Sequence, residues 1–108
     1  MINEILKMLD NKHPIINKNV NGVDIPLNEE ERFNIISKWA TEYYEERLNT
    51  IRNKRNFLLS LCDWTQTADS TADKVVWAQY RQLLRDFPET ITTIEELENP
   101  VWPTPPNN

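Results

Sequence analysis

The stretch that decides the fold runs from Arg55 to Phe87 and reads RNFLLSLCDWTQTADSTADKVVWAQYRQLLRDF. It joins the basic, apolar end of one predicted helix to a polar connection that begins with DWTQ at residues 63–66. A second predicted helix follows, because three large side chains recur at the spacing of one helix face. These are Trp77, Tyr80 and Leu84. The sequence therefore predicts a helical hairpin.

The first helix of this hairpin is predicted to be long. Asn28 and Glu31 have the spacing of a capping box, in which each side chain bonds the other residue's amide. No Pro or Gly interrupts the chain from Asn28 to Cys62, which indicates one helix of about 30 residues, or two helices with a soft joint near Asn49 and Thr50. A core this small cannot cover such a helix, so part of it is expected to pack on a second copy or on a partner.

Residues 1–27 are predicted to form a short helix and a small β-hairpin. Asn3 to Leu9 place apolar side chains on one side, and Pro14 ends the helix because the residue before a proline avoids helical angles. Asn21-Gly22 lies between two β-prone runs, and both central positions of a tight hairpin turn need positive φ. Two strands alone are barely stable, so this hairpin is expected to lean on the helices.

The rest of the chain is predicted to be a second helix and an extended tail. Ser70 is expected to cap this helix, and Pro88 to stop it. Thr93 and Glu96 have capping-box spacing and predict one further turn, whereas the four prolines after Asn99 favour extended backbone. The fold class is therefore mainly α, one domain in three parts: residues 1–27, the helical hairpin 28–87, and an acidic, Pro-rich tail 88–108.

Composition and charge narrow the class of protein. A chain of 108 residues predicts one domain with a modest core. The net charge of −5 disfavours nucleic-acid binding, since phosphates require a basic face. No apolar run approaches the ~18 residues of a membrane span, and the acidic N-terminal segment does not resemble a secretory signal. With Cys62 as its single cysteine, the chain is expected in a reducing cytosol, bound to neither nucleic acid nor membrane.

Residue types that perform chemistry are few, and each has a plainer role. His13 precedes a proline in a predicted loop and is expected to be a solvated surface side chain. Cys62 follows the C-terminal end of a helix, whereas the N-terminal end favours a nucleophilic thiolate, so packing is expected. Asp63 and Asp69 lack EF-hand spacing, and Gly22 alone cannot form a phosphate-binding loop. We therefore expect no enzyme activity, no metal and no cofactor.

Two charged regions are either solvated faces or docking surfaces. The basic one has no acid within it and suits the negative end of a helix dipole, although an acidic partner segment would also fit it. It consists of Arg47, Arg52, Lys54 and Arg55. The acidic one consists of Asp86, Glu89, Glu95, Glu96 and Glu98. Pairing between the two regions, within the chain or between copies, would set register more than add stability.

Four tryptophans in 108 residues are many. One interpretation is a small aromatic core that fastens the turn and the tail to the helix pair. The other is a groove for a partner, because Trp, Tyr and Arg dominate binding hot spots. Both interpretations hold if Trp64 and Trp77 lie inside while Trp102 reaches out, and this is the arrangement that we expect.

Several motifs occur in a fixed order over residues 50–106, about half of the chain. RNFLL at 55–59 and DWTQ at 63–66 precede a WxxYRxLLRD helix at 77–86, and WPTP closes the pattern at 102–105. This combination resembles the tail assembly chaperone proteins of tailed bacteriophages. It is similar, more loosely, to the C-terminal part of phage tail-fibre assembly proteins, which carry a W-x-x-Y-R helix and end on W-P-x-x-P. The N-terminal half matches only in style.

The resemblance implies a non-enzymatic protein without a cofactor, which helps tail or tail-fibre subunits to fold or assemble in the cytoplasm of the infected host. It carries over ten residues as candidate partner-binding positions, without telling which of them contact the client. These are Asp63, Trp64, Gln66, Trp77, Tyr80, Arg81, Arg85, Asp86, Trp102 and Pro103.

Two other functions compete with this one. The alternative is a small structural component that stays in the tail or virion. A nucleic-acid-binding regulator of the helix-turn-helix type is disfavoured, because the connection is too long and the net charge is negative. The expected partner is therefore a phage tail or tail-fibre protein, and the long helix also makes a homodimer plausible.

Overall fold

The computed structural model of the chain describes residues 1–107. It is mainly helical, with one long helix and a two-stranded antiparallel sheet near the N-terminus, as predicted. In chain order the elements are α1 (Ile2–Lys12), β1 (Asn17–Val20), β2 (Val23–Pro26), α2 (Glu29–Leu61), a 3-10 turn (Asp63–Gln66), α3 (Lys74–Asp86), a second 3-10 turn (Phe87–Thr90) and α4 (Ile94–Glu98). Asn108, the last residue of the predicted tail, lies outside the described residues.

The chain divides into two compact units, Met1–Glu46 and Arg47 onwards, and α2 contributes residues to both. The first unit holds α1, the β-hairpin and the first half of α2. The second unit holds the end of α2, α3, α4 and the Pro-rich tail. The predicted division into three parts, with boundaries after residues 27 and 87, stays a prediction.

In the first unit, α1 is longer than predicted and buries Ile5 and Leu9. It ends at Lys12, before the proline that cannot continue it. His13 is exposed, as predicted, and its ring packs edge-on against Trp39 with 5.2 Å between ring centroids.

Arg32 of α2 fixes the end of α1 by charge and by hydrogen bonds. Its guanidinium forms an ion pair with Asp10 and donates hydrogen bonds to the backbone carbonyls of Asp10 and His13. These carbonyls belong to the last turn of the helix and the residue after it, where no intrahelical amide is left to bond them. Arg32 therefore caps α1.

The predicted β-hairpin is present, with Val20 opposite Val23 across the turn. Asn21 (φ 52°) and Gly22 (φ 84°) both have the positive φ that this turn requires. All strand residues are exposed, so the hairpin buries little of its own surface. A hydrogen-bonded ion pair of 2.7 Å from Lys18 Nζ to Glu31 Oε2 ties it to the first turn of α2.

This ion pair predicts a pH dependence that can be traced to one lysine. The hydrogen bond from Lys18, and after it the backbone amide of Asn28, holds the pKa of Glu31 below its ordinary value of 4.5. Because the pKa of Glu31 is lower in the folded than in the unfolded state, its carboxylate stabilises the folded hairpin fully at pH values above 4.5. This contribution is lost as the pH falls through the lowered pKa of the folded state.

In a pH titration followed by NMR, Lys18→Met is expected to raise the pKa of Glu31 toward 4.5. Lys12→Met is the matched control and is expected to leave the titration curve of Glu31 unchanged. An unchanged curve in Lys18→Met would show that the ion pair does not form in solution.

The capping box at the start of α2 is confirmed. Asn28 Oδ1 accepts the Glu31 amide at 2.8 Å, and Glu31 Oε1 accepts the Asn28 amide at 3.2 Å. The helix then continues through Asn49 and Thr50 to Leu61 without a break, so the single-helix prediction is the one that the structure shows. The basic region and the apolar residues before DWTQ therefore lie on one continuous helix.

The cap of α3 differs from the prediction. Asp73, not Ser70, is the N-cap residue, and its Oδ1 accepts the Val76 amide at 3.2 Å. Ser70 Oγ instead accepts the Ala72 amide at 3.1 Å and closes a local turn. Both side chains can cap a helix, and such residues also compete for nearby amides in turns, so the helix starts one turn later.

The chain after α3 folds back through two short elements. Phe87 and Pro88 are buried in a 3-10 turn, and α4 buries Leu97. Thr93 caps α4 as predicted, since its Oγ1 accepts the Glu96 amide at 3.1 Å. Residues 100–107 have no helix or strand, in agreement with the predicted extended tail.

Candidate functional site

The second unit is built around one buried cluster where the end of α2 meets α3. Its buried members are Cys62, Tyr80 and Leu84. Four partly buried side chains pack against them: Leu58, Leu59, Trp77 and Trp102. The cluster therefore joins the helix before DWTQ, the helix after it and the tail, and most of the candidate residues lie around it.

Arg81 links α3 to the end of α2 and is itself only 9% exposed. Its Nη1 donates to the Leu59 carbonyl at 2.9 Å and contacts Cys62 Sγ at 3.2 Å, while Nη2 pairs with Asp63 Oδ1 at 2.8 Å. The Leu59 carbonyl belongs to the last turn of α2, where a cation also suits the negative end of the dipole. Arg81 therefore caps α2 from the neighbouring helix.

Two pKa shifts follow from this packing. Burial is the largest influence on the pKa of Arg81 and lowers it, but the hydrogen bonds and charges of Asp63 and Cys62 raise it by more. Burial also raises the pKa of Tyr80, and the charge of an ionised Cys62 would add to that effect. At neutral pH the cluster thus holds a charged guanidinium and a neutral phenol.

The polar half of DWTQ fixes the turn against α3. Thr65 is fully buried, and its Oγ1 donates to the Cys62 carbonyl at 2.6 Å. Gln66 Nε2 donates to Thr65 Oγ1 at 3.2 Å and to the Lys74 carbonyl at 3.3 Å. Sequence reasoning missed Thr65 as a site residue, although its place between two candidate residues just after a helix end was a signal.

The aromatic residues form a row, but their exposure differs from the prediction. The Trp64 and Trp77 rings lie 6.2 Å apart, and Trp77 meets Tyr80 edge-on at 5.8 Å. Trp77 is half-buried, whereas Trp64 was expected inside and is 52% exposed. In this turn the buried position is that of the neighbouring Thr65, and Trp64 beside it keeps about half of its surface in solvent.

Trp102 is also the reverse of the expectation, since it packs inward. Its ring lies 4.3 Å from that of Phe87, and Lys54 Nζ stands 5.1 Å from its centroid. The second 3-10 turn and α4 bring the tail back to the cluster, so an indole that follows a polar spacer in the sequence packs against the cluster. Pro103 beside it is half-buried.

The last two candidate residues lie on the exposed surface of α3. Arg85 receives a backbone contact, since Arg55 Nη1 donates to its carbonyl at 3.5 Å. The Asp86 carboxylate accepts from Gln82 Nε2 at 3.0 and 3.1 Å, one turn earlier. The structure therefore brings together Asp63, Trp64, Gln66, Trp77, Tyr80, Arg81 and Trp102, and leaves Arg85 and Asp86 outside the cluster.

Arg52, Lys54 and Arg55 of the basic region do not pair with the acidic region among the described residues. In the described part of the chain, Arg52 contacts Asn49, Lys54 lies over the Trp102 ring, and Arg55 reaches the Arg85 carbonyl. Their contacts are with neutral groups, so their positive charge is not cancelled by a bonded carboxylate.

The first unit has a groove of about 600 Å³ between α1 and the start of α2. Leu6, Phe33 and Ile36 line it with apolar surface, and its rim carries charged residues of both signs: Lys7, Asp10, Glu29, Glu30 and Arg32. Because the charges are mixed, they favour no particular ligand. The candidate site therefore stays with the second unit.

Residues 1–107 bear on two further classes of site, membrane-spanning helices and metal sites. None of the helices there combines the length and the apolar character that crossing a bilayer requires. Over the same residues, no group of three or more His, Cys, Asp or Glu side chains is placed to hold a metal ion.

Comparison with known proteins gives one positive finding. The family model described as phage tail assembly chaperone protein matches residues 48–107, more than half of the 108-residue chain. Neither the curated proteins nor the solved structures gave a match. The matched range spans the buried cluster, the DWTQ turn, α3 and the tail, so the family pattern coincides with the second unit. The chain belongs to the phage tail assembly chaperone family.

Proposed function

We propose that this protein binds a structural protein of the phage tail in the host cytoplasm, keeps it soluble until it assembles, and performs no reaction. The proposal rests on family membership, since assembly chaperones act by binding and not by catalysis. A chaperone must cover apolar or strand-edge surface that would otherwise aggregate. It therefore needs apolar surface of its own that is ordered and free to make contact.

The observation that carries the proposal is the half-exposed indole of Trp64. A tryptophan that is 52% exposed within an ordered 3-10 turn is unusual for a side chain of this size. Tryptophan is also among the residues that contribute most at protein interfaces. Three residues of DWTQ, Asp63, Thr65 and Gln66, thus hold the structure, and the fourth, Trp64, offers contact surface.

Co-expression tests this function. Each tail protein encoded by the same phage is produced alone and together with the tagged chain, and its soluble fraction and its retention on the tag are measured. We expect one tail protein to become more soluble and to be retained, whereas a head protein of the same phage is not retained. Retention of no tail protein would contradict the proposal.

Purified particles separate the chaperone from the alternative, a structural component of the tail. A chaperone leaves its client on assembly, so mass spectrometry of virions is expected to show the client without this chain. Light scattering of the purified protein reports on the homodimer, which stays a prediction. A tail-fibre protein as client also stays a prediction, and the co-expression series includes it.

A further inference from the structure

We propose that the client is held by the exposed face formed by Phe57, Leu61 and Trp64, here named the apolar ridge, and that it binds there with an amphipathic, acidic segment. This inference rests on the proposed function and adds to it the contact surface and the chemistry of the partner.

The three ridge residues share one side of the chain. Phe57 and Leu61 are four residues apart in α2 and so lie on the same helix face. Trp64 follows Leu61 by three residues, and the bonds from the Cys62 amide to the Leu59 carbonyl and from the Thr65 amide to the Cys62 carbonyl keep the chain between them in a helical turn, so Trp64 is expected on the side of Leu61. Their exposed fractions are 59%, 56% and 52%, so the ridge is apolar and uncovered.

Trp64 is held in place before any partner arrives. The residues on both sides of it are fixed, Asp63 by Arg81 and Thr65 by the Cys62 carbonyl, and its ring lies 6.2 Å from that of Trp77. A rigid side chain loses little conformational entropy on binding, which raises affinity without any new contact. The indole is therefore a preorganised anchor.

The charge beside the ridge identifies the kind of partner. Residues 47–61 carry four basic side chains and no acidic one, in a chain whose net charge is −5. Lys54 precedes Phe57 by three residues and Leu61 by seven, so it lies on the same side of α2. Its ammonium contacts the Trp102 ring and has no bonded carboxylate in the part of the chain that is described. The complement is a segment with apolar side chains and an acidic end.

A second copy of this chain fits the ridge less well. Three half-exposed side chains of at most ~250 Å² each offer about 400 Å² per copy, roughly half of the ~800 Å² that a stable partner interface buries on each side. A small contact of this kind is typical of transient complexes, and it suits a partner that must be released when the tail assembles.

The experiment compares two leucines of nearly equal exposure. Leu61, in the ridge, is 56% exposed, and Leu83, on α3, is 58% exposed. Leu83 follows Arg81 by two residues, which turns it about 200° away from the side of α3 that holds the DWTQ turn. The dissociation constant of the tail protein found by co-expression is measured for Leu61→Ser and Leu83→Ser, and circular dichroism melts confirm that both variants are folded.

We expect Leu61→Ser to weaken binding about tenfold or more, and Leu83→Ser to change it less than about twofold. Phe57→Ser is the second ridge variant and is expected to behave like Leu61→Ser. For the charge, Lys54→Gln is expected to weaken binding and to reduce its dependence on salt, whereas Lys38→Gln changes neither.

The possible failures can be told apart. If the wild-type chain retains no tail protein, the proposed function falls and this inference with it. If it retains one and Leu61→Ser binds as tightly as wild type, the function stands and the ridge is overturned as the contact surface. If light scattering shows a dimer that Leu61→Ser converts to a monomer, the ridge binds a second copy, which also overturns the inference.

Discussion

Replacing Leu84 by Ala is expected to lower the free energy of unfolding by about 3–4 kcal/mol, the largest loss that we expect from one substitution in the second unit. Leu84 has no exposed surface and packs with Cys62 and Tyr80 where the two helices meet the tail. Removing three carbon atoms there leaves a cavity between the helices. The neighbouring side chains of Trp77 and Trp102 cannot fill it unless α2 and α3 shift.

Leu83→Ala is the matched control, because Leu83 is the next residue back along α3 and is 58% exposed. Its loss of stability is expected to stay within about 0.5 kcal/mol, as for other surface positions. Urea titration gives both free energies, and the melting temperature of Leu84→Ala is expected to fall by more than about 10 °C. Equal losses for the two leucines would show that the described cluster is not the core of this unit.

Arg81→Ala is expected to cost about 2–3 kcal/mol, the value for hydrogen bonds that involve a charged group. The change removes the shortest and only charged donor to the Leu59 carbonyl, and the ion-pair partner of Asp63, at once. The carbonyl then keeps only the longer bonds from the Cys62 amide and thiol, and Asp63 loses the ion pair that holds the DWTQ turn to α3. We expect the turn to loosen as well, which would be seen as faster amide exchange from Asp63 to Gln66.

Arg85→Ala is the control for this change, since both arginines are among the ten candidate residues and belong to the same helix. Arg85 is exposed, and the bond that it receives is to its backbone carbonyl, which alanine keeps. Its loss is expected to stay within about 0.5 kcal/mol. Arg81→Lys is expected to lie between the two, because an ammonium cannot bond the carbonyl and the carboxylate with a planar fork. A smaller loss in Arg81→Ala than in Arg85→Ala would contradict the capping role of Arg81.

The motifs on which the resemblance rests acquire a physical explanation from this arrangement. Most of their residues hold the end of α2 and the DWTQ turn against α3. Asp63 pairs with Arg81, Gln66 bonds the first turn of α3, and Tyr80 and Trp102 belong to the packing of the buried cluster. The spacing of these residues in the sequence is thus the spacing that a rigid hairpin requires. Each of these residues makes its contact only when the others are in place. The combination of motifs is therefore more specific for this hairpin than any one motif alone.

Elements that depend on neighbours in the chain could be read from the sequence. The capping box of α2, the Asn21-Gly22 turn and the stop at Pro88 were all predicted, because each rests on the φ angles or hydrogen bonds of a few consecutive residues. The cap of α3 shows where such signals end. Ser70 and Asp73 are both residue types that favour the N-cap, so the sequence does not tell which one caps α3. In the folded chain Asp73 caps the helix, and Ser70 closes the turn before it.

The amino-acid sequence by itself determined the helices, the hairpin turn and the pairing of motifs that marks the family, because short-range sterics and capping bonds are complete within a few residues. Only the tertiary structure decided which indole packs against the buried cluster and which is half exposed. Trp64 and Trp102 have the same side chain, and the exposure of each depends on what packs against its ring. In the DWTQ turn the buried residue is Thr65 and Trp64 stays half exposed, whereas the Trp102 ring packs against Phe87.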